Sequence, residues 1–391
     1  MKLYFYSLLA AFFIVSSCSE KASISGVLEV PEDNSYTLYL IQPQGFNEIA
    51  SPYFGTVIDS AIVQKDGSFA FRNLPTLTAP TLFVIALQPQ GNRPNQLIND
   101  NPTTDNYMPL VWQTGEILSI TANSARFQQS FSIQNPSTAN SAMLQLRNAK
   151  VVAFQQFLQN KEWDIHEGTQ LLEKEDALLE YQKAMIDFAQ TTDAFLPALV
   201  AVRWVSPQQD YERTAEFLFA QCERWKEKEP AHPWTQQLCE KADKSALPVL
   251  VGDSFPNTEL PMLSGEMAPL YPQLGSKLTI IDLWASWCVP CRKENREILV
   301  PLWEAYHDKG FQILGYGLES NEAAWKAAIE KDGAYRWPHA SHLQGDDAPF
   351  MQVLRIQTIP ANFILDAQGK VIAKNLHGNH LARFVETYLK S

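Results

Sequence analysis

From residue 24 to about residue 121, apolar positions come in short runs rather than at helical spacing. Thr37-Leu38-Tyr39-Leu40-Ile41, Thr56-Val57-Ile58, Ala61-Ile62-Val63 and Phe69-Ala70-Phe71 are β-prone. Turn chemistry such as Pro31-Glu32-Asp33-Asn34 and Asp66-Gly67 separates them. Residues 81–87 and Ile117-Leu118-Ser119-Ile120 continue the series, and many short strands at regular spacing predict a β-sandwich over 24–134. The polar stretch 135–140 reads as a linker. Over 141–246 the spacing becomes helical: Leu144, Val151, Phe154, Phe157 and Leu158 line one face, and 194–202 begins another helix. Pro230 and Pro233 interrupt this region and put Cys222 and Cys239 on successive helices. Over 249–391 strands and helices alternate. Residues 278–284 read as a buried strand, 291–307 as a helix closed by Lys309-Gly310, 311–318 as a strand and 321–330 as a helix. A helix near 348–354, a hairpin of 362–365 with 370–373 and a terminal helix over 379–390 complete a mixed sheet covered on both faces. The class is multi-domain: β-sandwich, central α-helical segment, C-terminal α/β.

The beginning of the chain changes the picture. Lys2 precedes an apolar or aromatic run over 3–15, broken only by Ser7, which is too short to span a membrane but suits a secretory leader. It ends in Val15-Ser16-Ser17-Cys18. That ending resembles a bacterial lipoprotein box, which makes 1–18 a lipoprotein signal peptide with its lipidation cysteine and implies cleavage just before Cys18, lipidation of Cys18 as the first residue of the mature chain, and a lipid-anchored protein facing the periplasm from either membrane. The other reading is a plain signal peptide with Cys18 incidental.

With 391 residues and 46% hydrophobic content, the chain has room for two to four domains at roughly 100–200 residues each. Its net charge of −12 disfavours nucleic acid as a partner, since binding phosphates takes clustered Lys and Arg.

Five cysteines less the candidate anchor leave four, which suits two pairs in an oxidising compartment. For Cys222 and Cys239 a stapling disulfide and two buried free thiols both stay open, because spacing does not fix the Cα separation. Cys288 and Cys291 form a C-x-x-C. Zinc would need four ligands, and no second C-x-x-C or C-x-x-H exists to complete the set. His339-x-x-His342 and His377-x-x-His380 fall in loops or at a helix start and read as surface histidines. No metal or cofactor is expected. The pair sits where a buried strand gives way to a helix, so helix N–H groups would stabilise a Cys288 thiolate. Pro290 suits the first turn.

Trp284-Ala285-Ser286-Trp287-Cys288-Val289-Pro290-Cys291-Arg292-Lys293-Glu294 closely resembles the active-site segment of thioredoxin-like proteins of the TlpA/ResA group. Thr358-Ile359-Pro360-Ala361-Asn362-Phe363-Ile364-Leu365-Asp366 resembles that group's cis-proline loop. The resemblance covers roughly 251–390. It implies a thioredoxin-like fold, a cis Pro360 facing the Cys pair, and an Ile359 backbone able to pair with a substrate strand. Asp282 resembles thioredoxin's buried aspartate and would accept the Cys291 proton. Glu294 resembles an active-site glutamate of the ResA-like proteins, the other reading being a solvated first-turn acid. Trp284 and Trp287 would pack around the site, Trp287 shielding it. The segments Val57-Ile58-Asp59-Ser60-Ala61 and Lys65-Asp66-Gly67-Ser68-Phe69-Ala70-Phe71 resemble an N-terminal β-domain that precedes thioredoxin modules in envelope lipoproteins.

The implied activity is thiol:disulfide exchange on disulfide-bearing envelope proteins, with re-reduction by a membrane thiol reductant of the DsbD or CcdA kind. Ile359 before the proline resembles thioredoxin rather than the oxidising DsbA group, which favours a reductase. The alternatives are a copper-handling thioredoxin-fold protein and a non-catalytic envelope binding protein. A peroxidase would not need the close partner cysteine.

Overall fold

Eight strands open the chain: β1 (Ile24–Glu29), β2 (Tyr36–Gln42), β3 (Thr56–Ile62), β4 (Ser68–Phe71), β5 (Thr81–Pro89), β6 (Tyr107–Trp112), β7 (Leu118–Asn123) and β8 (Ser132–Ile133). The protein is seen here in a computed structural model that describes residues 23–31, 35–164 and 169–390; the leader and Cys18 lie outside the described residues. The strands form two four-stranded sheets, ordered β4-β1-β7-β8 and β3-β2-β5-β6. β7 buries Leu118, Ile120 and Ala122 and exposes Ser119 and Thr121, the alternation of a strand with one wet face. β6 is buried throughout. β1 runs parallel to β7 so closely that a Cβ on Gly26 would lie 2.0 Å from the Ile120 carbonyl oxygen, which only glycine permits.

The helices α1 (Phe127–Ser130), α2 (Thr138–Phe157), α3 (Thr169–Thr191), α4 (Phe195–Val205), α5 (Ala215–Lys228) and α6 (Pro233–Lys241) follow. α2 begins inside the stretch read as a linker, because the Ser137 hydroxyl caps it by accepting from the Asn140 N–H. The helices do not form a core of their own. Met143, Leu146, Leu199, Trp204 and Trp225 join Ile24, Leu40, Phe83 and Ile120 in one buried cluster that extends to Leu250.

Buried polar groups tie this cluster together. The Asn140 side chain accepts from the Val111 N–H (2.9 Å) and donates to its carbonyl (2.8 Å), pairing with strand β6 as a neighbouring strand would. Lys150 on α2 reaches Asp105 at 3.1 Å, both almost fully enclosed, and lies 4.4 Å from the Trp204 ring centre. Cys222 on α5 and Cys239 on α6 are joined by a disulfide with a Cα separation of 4.9 Å.

A second buried cluster runs from Phe255 to Leu389. Its elements are the short hairpin β9 (Glu259–Pro261) and β10 (Met267–Pro269), then β11 (Leu278–Trp284), α7 (Val289–Glu294), α8 (Val300–Tyr306), β12 (Phe311–Gly317), α9 (Glu322–Asp332), β13 (His339–Ala340), α10 (Pro349–Leu354), β14 (Ala361–Asp366), β15 (Val371–Lys374) and α11 (Gly378–Lys390). The sheet order is β13-β12-β11-β14-β15, with β11, β12 and β13 parallel and β14 and β15 antiparallel. β11 is central and buried at every position, hence its mostly apolar sequence, with Thr279 and Asp282 the exceptions.

The helix expected over 291–307 starts earlier, at Val289, and is interrupted by a π-turn over Asn295–Leu299. Pro301 explains the break, since it has no N–H to donate back to residue 297.

Candidate active site

β11 ends at the fully buried Trp284, and residues 285–288 turn the chain into α7. The Cys288 N–H donates to the Ala285 carbonyl at 3.1 Å. Cys288 then caps α7, its sulfur accepting the Cys291 N–H at 3.3 Å. Pro290 occupies the first turn, where a missing N–H leaves nothing unpaired. Cys288 and Cys291 are joined by a disulfide with Cα atoms 5.3 Å apart, and they are only 5% and 3% exposed.

Trp287 lies directly before Cys288 at the mouth of the site. It is 62% exposed and, with Val289 at 49%, forms an apolar rim beside the buried sulfurs. A large apolar surface left in water next to a reactive group is the kind of patch that meets a partner.

Two acids and two arginines that the sequence did not single out hold the loop before Cys288. The buried Glu319 carboxylate accepts from the Ser286 N–H and, at 3.0 Å, from its hydroxyl. Arg292 donates to the Ser286 carbonyl at 3.0 Å and grips the buried Asp332, which Arg296 also reaches at 2.8 Å.

Pro360 lies at the same end of the sheet. The register pairs Asp282 with Asn362 and Leu283 with Ala361, so Pro360 falls one step beyond, level with the exit of β11. The Ile359–Pro360 peptide bond is cis; Pro360 is buried and Ile359 half-buried.

Asp282 and Glu294 are both buried, at 4% and 5% exposure. Burial pushes the Asp282 carboxyl well above the usual carboxylate range, and the nearby Glu294 charge adds to the rise. No cation pairs with Asp282 among the described residues. Glu294 is not the solvated first-turn acid of the alternative reading. It accepts from His377 Nδ1 at 2.9 Å and from the Gly378 N–H at 2.8 Å.

His377 is therefore no surface histidine, and neither is His339, which is 2% exposed on β13 with its Nε2 donating to the Ala334 carbonyl at 2.9 Å. Burial pushes its pKa down to about 4, so it is neutral. β12 accommodates it with glycine: a Cβ on Gly315 would lie 2.5 Å from His339 Nδ1. Among the described residues no group of three or more His, Cys, Asp or Glu is placed to hold a metal ion.

A cavity of about 710 Å³ lies between the two clusters, bordered by Tyr211, Leu218, Leu318, Met351 and Arg355. It does not reach the cysteines.

Residues 250–387 match the Redoxin family. The C-terminal region is thus a thioredoxin-like Redoxin domain. Its relatives define the class further. DsbE, a thiol:disulfide interchange protein of Pseudomonas fluorescens biotype C, is 26% identical over 130 residues, which is 33% of this chain and 68% of DsbE. ResA, a thiol-disulfide oxidoreductase of Bacillus cereus, is 27% identical over 140 residues, 36% of this chain and 77% of ResA. Among solved structures, the thioredoxin domain of a thiol-disulfide oxidoreductase from Bacteroides vulgatus is 32% identical, covering 36% of this chain and 99% of its own, with a TM-score of 0.33. A thiol-disulfide oxidoreductase from Bacteroides fragilis is 29% identical, with coverage of 34% and 98% and a TM-score of 0.32. The domain is of the thiol-disulfide oxidoreductase class, TlpA/ResA-like.

Proposed function

We propose that the protein is a periplasm-facing thiol:disulfide oxidoreductase that reduces disulfides of envelope proteins through the Cys288/Cys291 dithiol. The observation that carries this reading is a Cys-x-x-Cys pair capping a helix at the end of a buried strand, with one buried carboxylate on that strand and another on that helix. Three structural segments suit the layout: a β-sandwich over 24–134, a helical segment over 141–246 and the thioredoxin-like domain over 249–391. The leader sequence supports attachment through lipidated Cys18.

In the reduced enzyme the helix N–H groups favour the Cys288 thiolate over the thiol. That thiolate attacks one sulfur of the partner disulfide; a mixed disulfide forms and the other partner sulfur leaves as thiolate. Cys291 gives up its proton to a carboxylate, Asp282 or Glu294, and its thiolate attacks Cys288 Sγ. The second partner sulfur leaves, and two electrons have passed from the enzyme to the partner. The Cys288–Cys291 disulfide is then reopened by a membrane thiol reductant of the DsbD or CcdA kind, which supplies the two electrons. Trp287, Val289 and the backbone of Ile359 offer the partner chain a surface.

Trapping tests this. With Cys291→Ser the reaction stops at the mixed disulfide, so a cystine-bearing protein substrate accumulates covalently bound to the reduced enzyme and is released by dithiothreitol. Cys288→Ser traps nothing. A chain that binds such proteins but traps none in either variant would be a binding protein, not an oxidoreductase.

A further inference from the structure

The turn between α4 and α5 crosses from the first cluster to the redox domain. Glu212 accepts the Gln357 N–H at 2.7 Å and also bonds the Thr358 hydroxyl. Arg213 donates from Nη2 to the Pro360 carbonyl at 2.8 Å, and the same nitrogen lies 3.7 Å from Glu175 on α3. α3 in turn packs against α7, the helix that carries Cys291. The next anchor is Glu216, which reaches Lys374 at 2.8 Å and accepts the Val251 N–H at 3.0 Å.

The contacts on the 357–360 loop are selective. Gln357, Thr358 and Pro360 are each held from the first cluster, and the backbone of Ile359 between them has no hydrogen-bond partner among the described residues. Ile359 itself is half-buried, and a backbone amide without a partner is an open position for another chain. The exposed Trp287 and Val289 lie on the loop and helix at the same end of the sheet.

We infer that Glu212 and Arg213 are positioning residues for partner binding: they set the loop on both sides of Ile359 so that its N–H and C=O can pair with an extended segment of the disulfide-bearing chain. The inference rests on the oxidoreductase reading above. It gives the helical region a role in substrate choice. A partner polypeptide should depend on the two residues far more than a small disulfide, which has no strand to pair.

The test compares two substrates on the full reduced chain: a cystine-bearing peptide and the small aromatic disulfide 5,5′-dithiobis(2-nitrobenzoate). In Arg213→Ala, KM for the peptide should rise about ten-fold, the loss of one charge-assisted hydrogen bond, with kcat changed less than about two-fold. The ratio of peptide to small-disulfide kcat/KM should fall in parallel, and the reduction potential of the Cys pair should not move. Arg213→Lys should recover part of the peptide KM. Should Arg213→Ala fail to fold, Glu212→Gln, which keeps the side-chain shape, carries the same comparison.

An unchanged peptide KM overturns the proposal. So does an equal loss on both substrates or a shifted potential, because either would mean general support of the domain. If the unsubstituted chain reduces neither disulfide, the oxidoreductase reading itself fails and removes this inference with it.

Discussion

Each of the two clusters holds a buried carboxylate and a disulfide, and treats them oppositely. Asp105 in the first is enclosed, but Lys150 sits 3.1 Å away and the Asn101 N–H donates to it at 3.0 Å. Burial pushes Asp105 up and Lys150 down, with their mutual attraction opposing both shifts. Asp282 in the second is enclosed with another carboxylate as its charged neighbour. Cys222–Cys239 joins the flanks of two helices, whereas Cys288–Cys291 caps a helix beside exposed Trp287. In the first region the buried charged groups are paired and so hold the fold. In the second a buried acid is left without a cation, which costs stability and keeps a proton available.

The sharpest way to break this contrast is to remove one cysteine from each pair. Cys288→Ser should reduce disulfide-exchange turnover to background in an assay with reduced enzyme, whereas Cys222→Ser with Cys239→Ser should leave turnover in place. Next in size is the buried ion pair. Lys150→Ala strands the Asp105 charge and should destabilise the first cluster by about 3–5 kcal/mol in urea unfolding. The potential of Cys288–Cys291 should be unmoved. Opening the Cys222–Cys239 bridge should cost about 3 kcal/mol, since it closes a loop of 17 residues.

Asp282→Asn should slow the Cys291 resolving step about 100-fold in single-turnover kinetics, the size of a lost proton acceptor. Its effect on stability has the opposite sign to that of Lys150→Ala. The folded pKa of Asp282 is raised, so the unfolded chain ionises first as pH rises. Stability therefore falls from about pH 4 up through the raised pKa. Asp282→Asn should remove that fall, and unfolding curves at several pH values would show it. The smallest expected effect is at His377. Replacing it with Ala removes a hydrogen bond to the Glu294 carboxylate and should cost about 1.5 kcal/mol.

The parts of the molecule legible in the sequence are those set by neighbours in the chain. The run over 278–284, the C-x-x-C at its end and the hairpin around Asp366 and Gly369 each depend on a few adjacent residues. The structure has β11, α7 and the β14–β15 pair there. The break near Pro301 is local as well, since the proline has no N–H to donate back to residue 297.

What local pattern hides is partnership across the chain. Glu294 meets His377 at a separation of 83 residues, and Arg213 meets Pro360 at 147. A histidine flanked by Leu376 and Gly378 gives no hint that a buried glutamate awaits it. His339 misleads for a related reason: its burial depends on Gly315 leaving room on the neighbouring strand. The helices over 138–241 have ordinary spacing, which does not reveal that they pack on one another and also share one buried cluster with the two N-terminal sheets.

The most direct test of the division between the two regions is one redox equilibration of the full chain, with all four cysteines followed by thiol labelling and mass spectrometry. The expected result is that Cys288 and Cys291 become labelled together with a midpoint at about −250 mV or lower, while Cys222 and Cys239 stay bonded until below about −300 mV and below the first midpoint. A Cys288–Cys291 midpoint near about −120 mV would reverse the proposed direction of electron flow. Both pairs opening together, or Cys222–Cys239 opening first, would contradict the assignment of one bridge to chemistry and the other to structure.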